Sequence, residues 1–203
     1  MAIPPKHKRL KLLLIGNSGV GKSFMLSQFC KKDPWYAAPT MGVDFSTHMY
    51  AHPNVPSACI KLHIWDTGGQ DKYRFLTRSY YTNSQGIMLV YDVGNRDSFA
   101  DIRYWLDESL SHQKGHVARH MLVGIVKGVG RAVIKEEGEK FAQAHNMPFM
   151  EVSTPSDVDA AFNILITDCL KDEVDGFSGG ESTPILLTQY QRTRPQEFFG
   201  CCV

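Results

Sequence analysis

Residues 16–23, which read GNSGVGKS, have the residue types and spacing of a loop that binds phosphate. Glycines let backbone N–H groups curl around phosphate oxygens, and a following helix adds partial positive charge. The Lys22 ammonium would reach the β- and γ-phosphates, and the Ser23 hydroxyl would ligate Mg²⁺. A chance match to this pattern arises on the order of one time in a hundred in a chain of this length. Nucleotide contacts are therefore predicted for Ser18, Gly19, Val20, Gly21, Lys22, Ser23 and Phe24.

A second group of suitable residues follows a predicted strand, in the order Asp66, Gly69 and Gln70. Asp66 could hold Mg²⁺, usually through water, on the side opposite Ser23. Gly69 could place its N–H against a γ-phosphate, and Gln70 could orient a water molecule for in-line attack. An Asp-Thr-Gly turn alone is usually a strand cap, so this interpretation depends on the phosphate loop earlier in the chain.

The order of apolar and amphipathic segments predicts the elements that would position these residues. Short apolar runs alternate with longer segments of helical period, which indicates crossover units and a mainly parallel sheet. Residues 10–15, LKLLLI, are nearly all apolar, as in a strand buried on both faces. Further strands are predicted at 44–51, 60–65, 86–93, 121–125 and 148–152, and helices at 21–31, 97–112, 135–146 and 158–170.

Length and composition limit the class of protein. A chain of 203 residues suits one domain. Its 22 basic and 21 acidic residues give a net charge of +1, which argues against non-specific nucleic-acid binding. No apolar run approaches the roughly 20 residues of a membrane span, and no secretory signal is expected. A change in composition near Asp172 predicts a domain over 1–171 and a flexible tail over 172–203.

Five segments together resemble the Rab branch of the Ras-like small GTPases, and the resemblance covers most of residues 9–170. They are residues 16–23 (GNSGVGKS), 40–45 (TMGVDF), 61–74 (KLHIWDTGGQDKYR), 79–93 (SYYTNSQGIMLVYDV) and 98–106 (SFADIRYWL). The resemblance implies an α/β P-loop NTPase fold with a mostly parallel six-stranded sheet flanked by helices. It also implies GTP or GDP and Mg²⁺ as ligands, with two switch segments that order around the γ-phosphate.

The resemblance assigns further roles by position. Thr40 matches a threonine that ligates Mg²⁺ together with Ser23 and Asp66, and Gln70 matches the glutamine needed for hydrolysis. Three aromatic residues match a triad that Rab proteins present to effectors, although such rings alone are core residues roughly two times in three. The triad is Phe45, Trp65 and Tyr80.

The chain departs from the family at the loops that contact the base. Residues 125–128 read IVKG where the family has Asn-Lys-x-Asp, whose Asp accepts two hydrogen bonds from guanine. The second loop has Pro155 in place of a lysine, which leaves Ser153 and the Thr154 backbone as base contacts. The missing charged pair should weaken discrimination by about 1.5–3 kcal/mol. We expect Mg²⁺-dependent binding with a reduced preference for guanine over adenine.

A smaller departure lies in the second switch, where Gly68 replaces the alanine that the family normally has. Two adjacent glycines add backbone freedom, which costs about 0.5–1 kcal/mol when the segment orders.

Residues 200–203, GCCV, resemble a Rab double-cysteine prenylation signal at Cys201 and Cys202. Two lipid chains give firm attachment to a membrane, whereas one is marginal. The implied location is the cytoplasmic face of an endomembrane, in exchange with the cytosol. The implied partners are a GTPase-activating protein, an exchange factor, a prenylation escort, a GDI-like extractor and membrane effectors, with no nucleic acid and a monomeric chain.

These observations predict a Rab-like small monomeric GTPase, a nucleotide-dependent switch with slow hydrolysis that acts in vesicle traffic. One alternative is a nucleotide-promiscuous or non-hydrolysing pseudo-GTPase adaptor that recruits effectors to a membrane. A small ATP-dependent phosphotransferase is a third reading, disfavoured because the GVDF and SYY segments would then have no explanation.

Overall fold

A computed structural model describes residues 8–31, 40–51, 59–69, 74–113, 117–128 and 130–174. Six strands and six helices occupy these ranges, and all six strands lie where the sequence predicts them. In chain order they are β1 (Lys8–Ile15), α1 (Lys22–Phe29), β2 (Val43–Ala51), β3 (Cys59–Thr67), α2 (Arg74–Tyr81), β4 (Gly86–Asp92), α3 (Arg96–Ala100), α4 (Ile102–Ser111), β5 (Arg119–Ile125), α5 (Lys135–Ala144), β6 (Phe149–Val152) and α6 (Pro155–Val174).

The strands form one sheet in the order β2-β3-β1-β4-β5-β6. Only the β2–β3 pair is antiparallel, and every other neighbouring pair runs parallel. The carboxyl ends of the parallel strands therefore meet at one edge, which is where ligands bind in open α/β sheets. The predicted α/β fold with a mostly parallel six-stranded sheet is confirmed.

Strand β1 lies inside the sheet and is buried on both faces, which explains its continuous apolar run. Leu12 and Leu14 belong to the core on one face, with α1 and α6, whereas Leu13 and Ile15 belong to the core on the other. The first core includes a stacked pair of rings, Phe29 of α1 and Phe162 of α6, with centroids 3.9 Å apart. Because both faces are covered, the end of β1 is held rigidly at the edge of the sheet.

Helix α2 is absent from the elements predicted by sequence. Its sequence, RFLTRSYY, is rich in aromatic and hydroxyl residues with modest helix propensity. Tertiary packing supplies the stability, since Tyr81 is fully buried in the core that also holds Trp105 of α4. The helix predicted over 97–112 is divided into α3 and α4 at Asp101, although the hydrogen bond from Trp105 N to Asp101 O continues the helical pattern.

His120, at the start of β5, should make the stability of the fold depend on pH. Its Nε2 shares a hydrogen bond of 2.8 Å with Ser109 Oγ of α4. Burial lowers the pKa of His120 to about 4, against a smaller opposing effect of a backbone hydrogen bond with Ala118. The unfolded chain therefore binds the proton first as pH falls, and the folded state loses up to about 3 kcal/mol of stability between pH 6.5 and 4.

Urea denaturation at several pH values would measure this loss in the wild type and in His120→Asn. We expect the variant to lack that part of the pH dependence. The same slope in both proteins would show that His120 is not the group responsible.

Candidate functional site

The predicted phosphate loop joins the end of β1 to the start of α1. Gly19 and Gly21 have φ of 77° and 111°, a region that side chains other than glycine rarely occupy. No side chain fits at position 16, because a Cβ there would lie 2.1 Å from the carbonyl oxygen of Val90 in β4. Backbone conformation and close packing thus explain why glycine stands at these three positions.

Lys22 is buried at the first position of α1 and folds back over the loop. Its Nζ donates hydrogen bonds of 2.8 Å to the carbonyl oxygens of Gly16 and Asn17. Burial lowers the pKa of Lys22 to about 8; the charge of Asp66 opposes this shift and that of Lys127 adds to it. The ammonium therefore lies inside the loop with its hydration largely removed, where a negative ligand would stabilise its charge.

Three side-chain oxygens from separate elements meet beside Lys22. Ser23 Oγ and Thr40 Oγ1 share a hydrogen bond of 2.9 Å, Thr40 Oγ1 lies 3.3 Å from Asp66 Oδ2, and the Ser23 hydroxyl donates to that same Oδ2. We call Ser23, Thr40 and Asp66 the oxygen cluster. Asp66 is 2% exposed. Burial raises its pKa, while Ser23, Lys22 and Thr40 act in the opposite direction.

The oxygen cluster fits Mg²⁺. Asp66 Oδ1 is buried and has no hydrogen-bond partner among the described residues, so this acceptor is available to a ligand. Mg²⁺ binds through one or two carboxylates together with hydroxyls, water and substrate phosphates. The cluster has only one carboxylate, and among the described residues no three or more His, Cys, Asp or Glu side chains form a group that could hold a metal.

The two glycines after β3 lie close to the backbone of neighbouring segments. A Cβ on Gly69 would lie 2.3 Å from the backbone of Asn17 and Ser18, and a Cβ on Gly68 would lie 2.5 Å from the Thr40 carbonyl oxygen. Gly68 N also donates to Gly42 O at 2.7 Å. Close approach to the Thr40 carbonyl oxygen therefore favours glycine at position 68, a constraint separate from backbone freedom. The predicted hydrolytic residue Gln70 lies outside the described residues.

The loops after β5 and β6 lie side by side next to the phosphate loop. Val126 N donates to Val152 O at 2.9 Å, which places Lys127 and Ser153 at the same edge of the sheet. Lys127 Nζ forms an ion pair of 2.8 Å with Asp92 Oδ2. The same ammonium donates to the Gly19 carbonyl oxygen, so Lys127 connects β4, the phosphate loop and the loop after β5.

The polar groups of Ser153 and Thr154, in the second loop predicted to contact the base, are bonded to Asp157 in α6. Asp157 Oδ2 accepts hydrogen bonds from Ser153 N, Ser153 Oγ and Thr154 N at 2.9, 2.9 and 2.8 Å. Thr154 Oγ1 accepts one from Asp157 N at 3.2 Å, which completes a capping box. Burial raises the pKa of Asp157, but the bonds from Ser153 and Thr154 outweigh burial and lower it overall.

The predicted aromatic triad forms one continuous surface. The ring centroids of Phe45 and Trp65 are 4.6 Å apart, and those of Trp65 and Tyr80 are 4.7 Å apart. Phe45 is 44% exposed, and the other two rings are half-buried. His63 extends the surface, with its ring 5.4 Å from that of Phe45 in an edge-on arrangement.

Sequence reasoning missed the residues that support the site from a distance. Asn17 Oδ1 accepts a hydrogen bond of 2.8 Å from Trp105 Nε1, and Asn17 Nδ2 donates one of 2.6 Å to Asp101 Oδ2. This contact ties the phosphate loop to α4. The role of Asp157 could have been predicted from the spacing T-x-x-D at the start of α6, which is typical of a helix cap. No local sequence pattern predicts the ion pair of Lys127 with Asp92.

None of the helices in the described part of the chain is long and apolar enough to cross a membrane.

The sequence is similar to known proteins over most of its length. The sequence model of the Ras family matches residues 11–171. The chain is 44% identical over 162 residues to the Ras-related protein Rab-18 of Lymnaea stagnalis, covering 77% of this chain and 78% of the relative. It is 43% identical over 167 residues to the Ras-related protein Rab-18-B of Danio rerio, covering 80% of each protein.

The bond between Asn17 and Trp105 generates a stability prediction. Asn17→Ala removes the acceptor of a buried indole N–H, which costs about 1–2 kcal/mol of stability. Urea denaturation followed by circular dichroism would measure the loss. The control is Ser18→Ala, which changes an exposed side chain in the same loop. Equal stability of the two variants would contradict the proposed support from α4.

Proposed function

The chain belongs to the Ras family, as a Rab-type small GTPase, and on this premise we propose how its own residues hold and process the nucleotide. It is a Rab-like GTPase of membrane traffic, and the family binds GTP or GDP with Mg²⁺. The observation that carries the proposal is the oxygen cluster beside the buried Lys22 ammonium. A triphosphate is the ligand whose charge and oxygens satisfy both.

The phosphate loop would bind the triphosphate through its backbone N–H groups and the start of α1. Lys22 now donates to the carbonyl oxygens of Gly16 and Asn17 and would redirect its ammonium to the β- and γ-phosphates. Because Lys22 is already desolvated, its bonds to phosphate cost little further hydration. Binding energy would therefore concentrate at the phosphates.

Ser23 and Thr40 would hold Mg²⁺ directly, and Asp66 would support the ion, usually through water. When bound, Mg²⁺ neutralises charge on the β- and γ-phosphate oxygens. Thr40 belongs to the segment before β2, and Gly68 N donates to Gly42 O in that segment. A bound γ-phosphate would thus order residues 40–42 and 68–69 together. These residues are the described parts of the two switches.

Hydrolysis would use the backbone N–H of Gly69 against the γ-phosphate and the Gln70 side chain to orient the attacking water. Turnover without an arginine from a partner is slow in sites of this kind, so an activating protein is part of the proposal. An exchange factor would complete the cycle. The surface formed by Phe45, Trp65 and Tyr80 would bind effectors, because a continuous, partly exposed aromatic surface favours binding to other proteins.

Attachment to the membrane would depend on prenylation of Cys201 and Cys202, with an escort protein and a GDI-like extractor as partners. Both cysteines lie outside the described residues. The described Cys30 and Cys59 are half-buried and Cys169 is buried, so within the fold no described cysteine is comparably suited to modification. Two lipid chains are needed for firm attachment.

Calorimetry with GTP in the presence and absence of Mg²⁺ tests the phosphate site. We expect Lys22→Ala to weaken binding by about a hundredfold, since two charge-assisted hydrogen bonds are lost, and Ser23→Ala to remove most of the dependence on Mg²⁺. Ser27→Ala is the matched control, because its hydroxyl donates to Phe24 O one turn further along α1. Wild-type affinity in Lys22→Ala would contradict the proposal.

The lowered pKa of Lys22 adds a pH signature to the same experiment. Without nucleotide, Lys22 would lose its proton above about pH 8. A bound phosphate would raise the pKa of that ammonium, because a nearby negative charge favours the charged form. Nucleotide binding therefore takes up a proton, and affinity falls by up to about tenfold per pH unit above pH 8. A wild-type affinity that does not change between pH 7 and 9.5 would contradict this role of Lys22.

Fractionation of cells that express the full chain tests the lipid anchor. The double variant Cys201→Ser with Cys202→Ser should remain in the cytosolic fraction, and the single variant Cys201→Ser should distribute between cytosol and membranes, because one chain is marginal. Membrane association of the double variant at the wild-type level would defeat the proposed anchor.

A further inference from the structure

The groups that face a bound base can be identified from the position of the phosphate loop. The loops after β5 and β6 are neighbours at the same edge of the sheet, and Lys127 contacts Gly19 of the phosphate loop. A Cβ built on Gly21 would lie 3.4 Å from Lys127 Cε and 3.5 Å from Ile125 Cγ2. A nucleotide with its phosphates in the loop therefore places its base beside residues 125–128 and 153–154.

The first of these loops offers the base edge no carboxylate. Residues 125–128 are Ile, Val, Lys and Gly, and the Lys127 ammonium is engaged by Asp92 Oδ2 and Gly19 O. Guanine presents two donor groups on one edge, N1–H and the 2-amino group, which an acidic side chain would bind. Nothing in this described loop supplies such an acceptor.

The second loop presents an acceptor where guanine needs a donor. The N–H groups of Ser153 and Thr154 both point to Asp157 Oδ2, at 2.9 and 2.8 Å. The carboxylate thus occupies the position from which a base atom would accept these hydrogen bonds. Position 6 of guanine is an oxygen acceptor, whereas position 6 of adenine is an amino donor. An ionised Asp157 repels the first and can accept from the second.

We propose that this site binds adenine nucleoside triphosphates about as well as guanine nucleoside triphosphates, with Asp157 as the residue that sets the preference at position 6 of the purine. The inference rests on the proposed function, since the same phosphate loop and oxygen cluster hold both nucleotides. Contacts with the phosphates then supply most of the binding free energy. The Asp157 carboxylate of α6 distinguishes the purine bases.

Competition of ATP, GTP and ITP against a fluorescent purine triphosphate, with Mg²⁺, measures the preference in the purified full chain. We expect the wild-type dissociation constants for ATP and GTP to agree within about tenfold. ITP carries the 6-oxo group of guanine without its 2-amino group, so it separates the two positions. An ITP affinity equal to that of GTP is expected, because no described carboxylate reads the 2-amino group.

Two variants test the assigned residues. Asp157→Asn keeps an acceptor for the Thr154 N–H and replaces the charge by an amide, so GTP and ITP should gain at least threefold relative to ATP. Gly128→Asp places a carboxylate in the first loop, where a Cβ meets nothing within 4 Å, and should favour GTP over ATP by about tenfold or more. Gly130→Asp is the matched control, because a Cβ there also meets nothing within 4 Å.

The outcomes separate this inference from the function on which it rests. Wild-type binding of GTP more than a hundredfold tighter than ATP would overturn the inference and leave the phosphate site intact. An unchanged ratio in both Asp157→Asn and Gly128→Asp would also overturn it. Absence of Mg²⁺-dependent binding for every purine triphosphate would overturn the phosphate site and the inference together.

Discussion

The site depends on the burial of one ammonium and one carboxylate at the carboxyl edge of the sheet. Removal from water disfavours both charges, which lowers the pKa of Lys22 and raises that of Asp66. Their mutual attraction and the hydroxyls of Ser23 and Thr40 offset only part of this cost. A polyanion with a divalent cation would complete the compensation of both buried charges.

Close backbone contacts couple this charged centre to the segments around it. Gly69 lies against the phosphate loop, and Gly68 lies against the segment that carries Thr40. These contacts are made by packed backbone rather than by flexible side chains. The aromatic surface begins at Phe45, two residues after β2 starts, and includes Trp65, one residue before Asp66, so β3 contributes both to this surface and to the oxygen cluster.

Different interactions stabilise the phosphate loop and the neighbouring loops after β5 and β6. At the phosphate end, backbone conformation and buried charge leave little freedom for other residues. At the base end, Lys127 is paired with Asp92, and the amides of Ser153 and Thr154 are bonded within α6's own capping box. The polar groups of Lys127, Ser153 and Thr154 thus form hydrogen bonds and an ion pair within the protein.

The phosphate loop, the buried β1 and the alternation of strands and helices could be predicted because each is a local pattern of a few consecutive residues. The sequence also indicated the oxygen cluster by family resemblance, but the meeting of Ser23, Thr40 and Asp66 requires three separate elements to pack together. Helix α2 has weak local propensity, and the pairing of Lys127 with Asp92 joins the ends of two strands. Their formation was decided by the tertiary structure alone, because burial and register in the sheet, rather than neighbouring residues, supply the stabilising contacts.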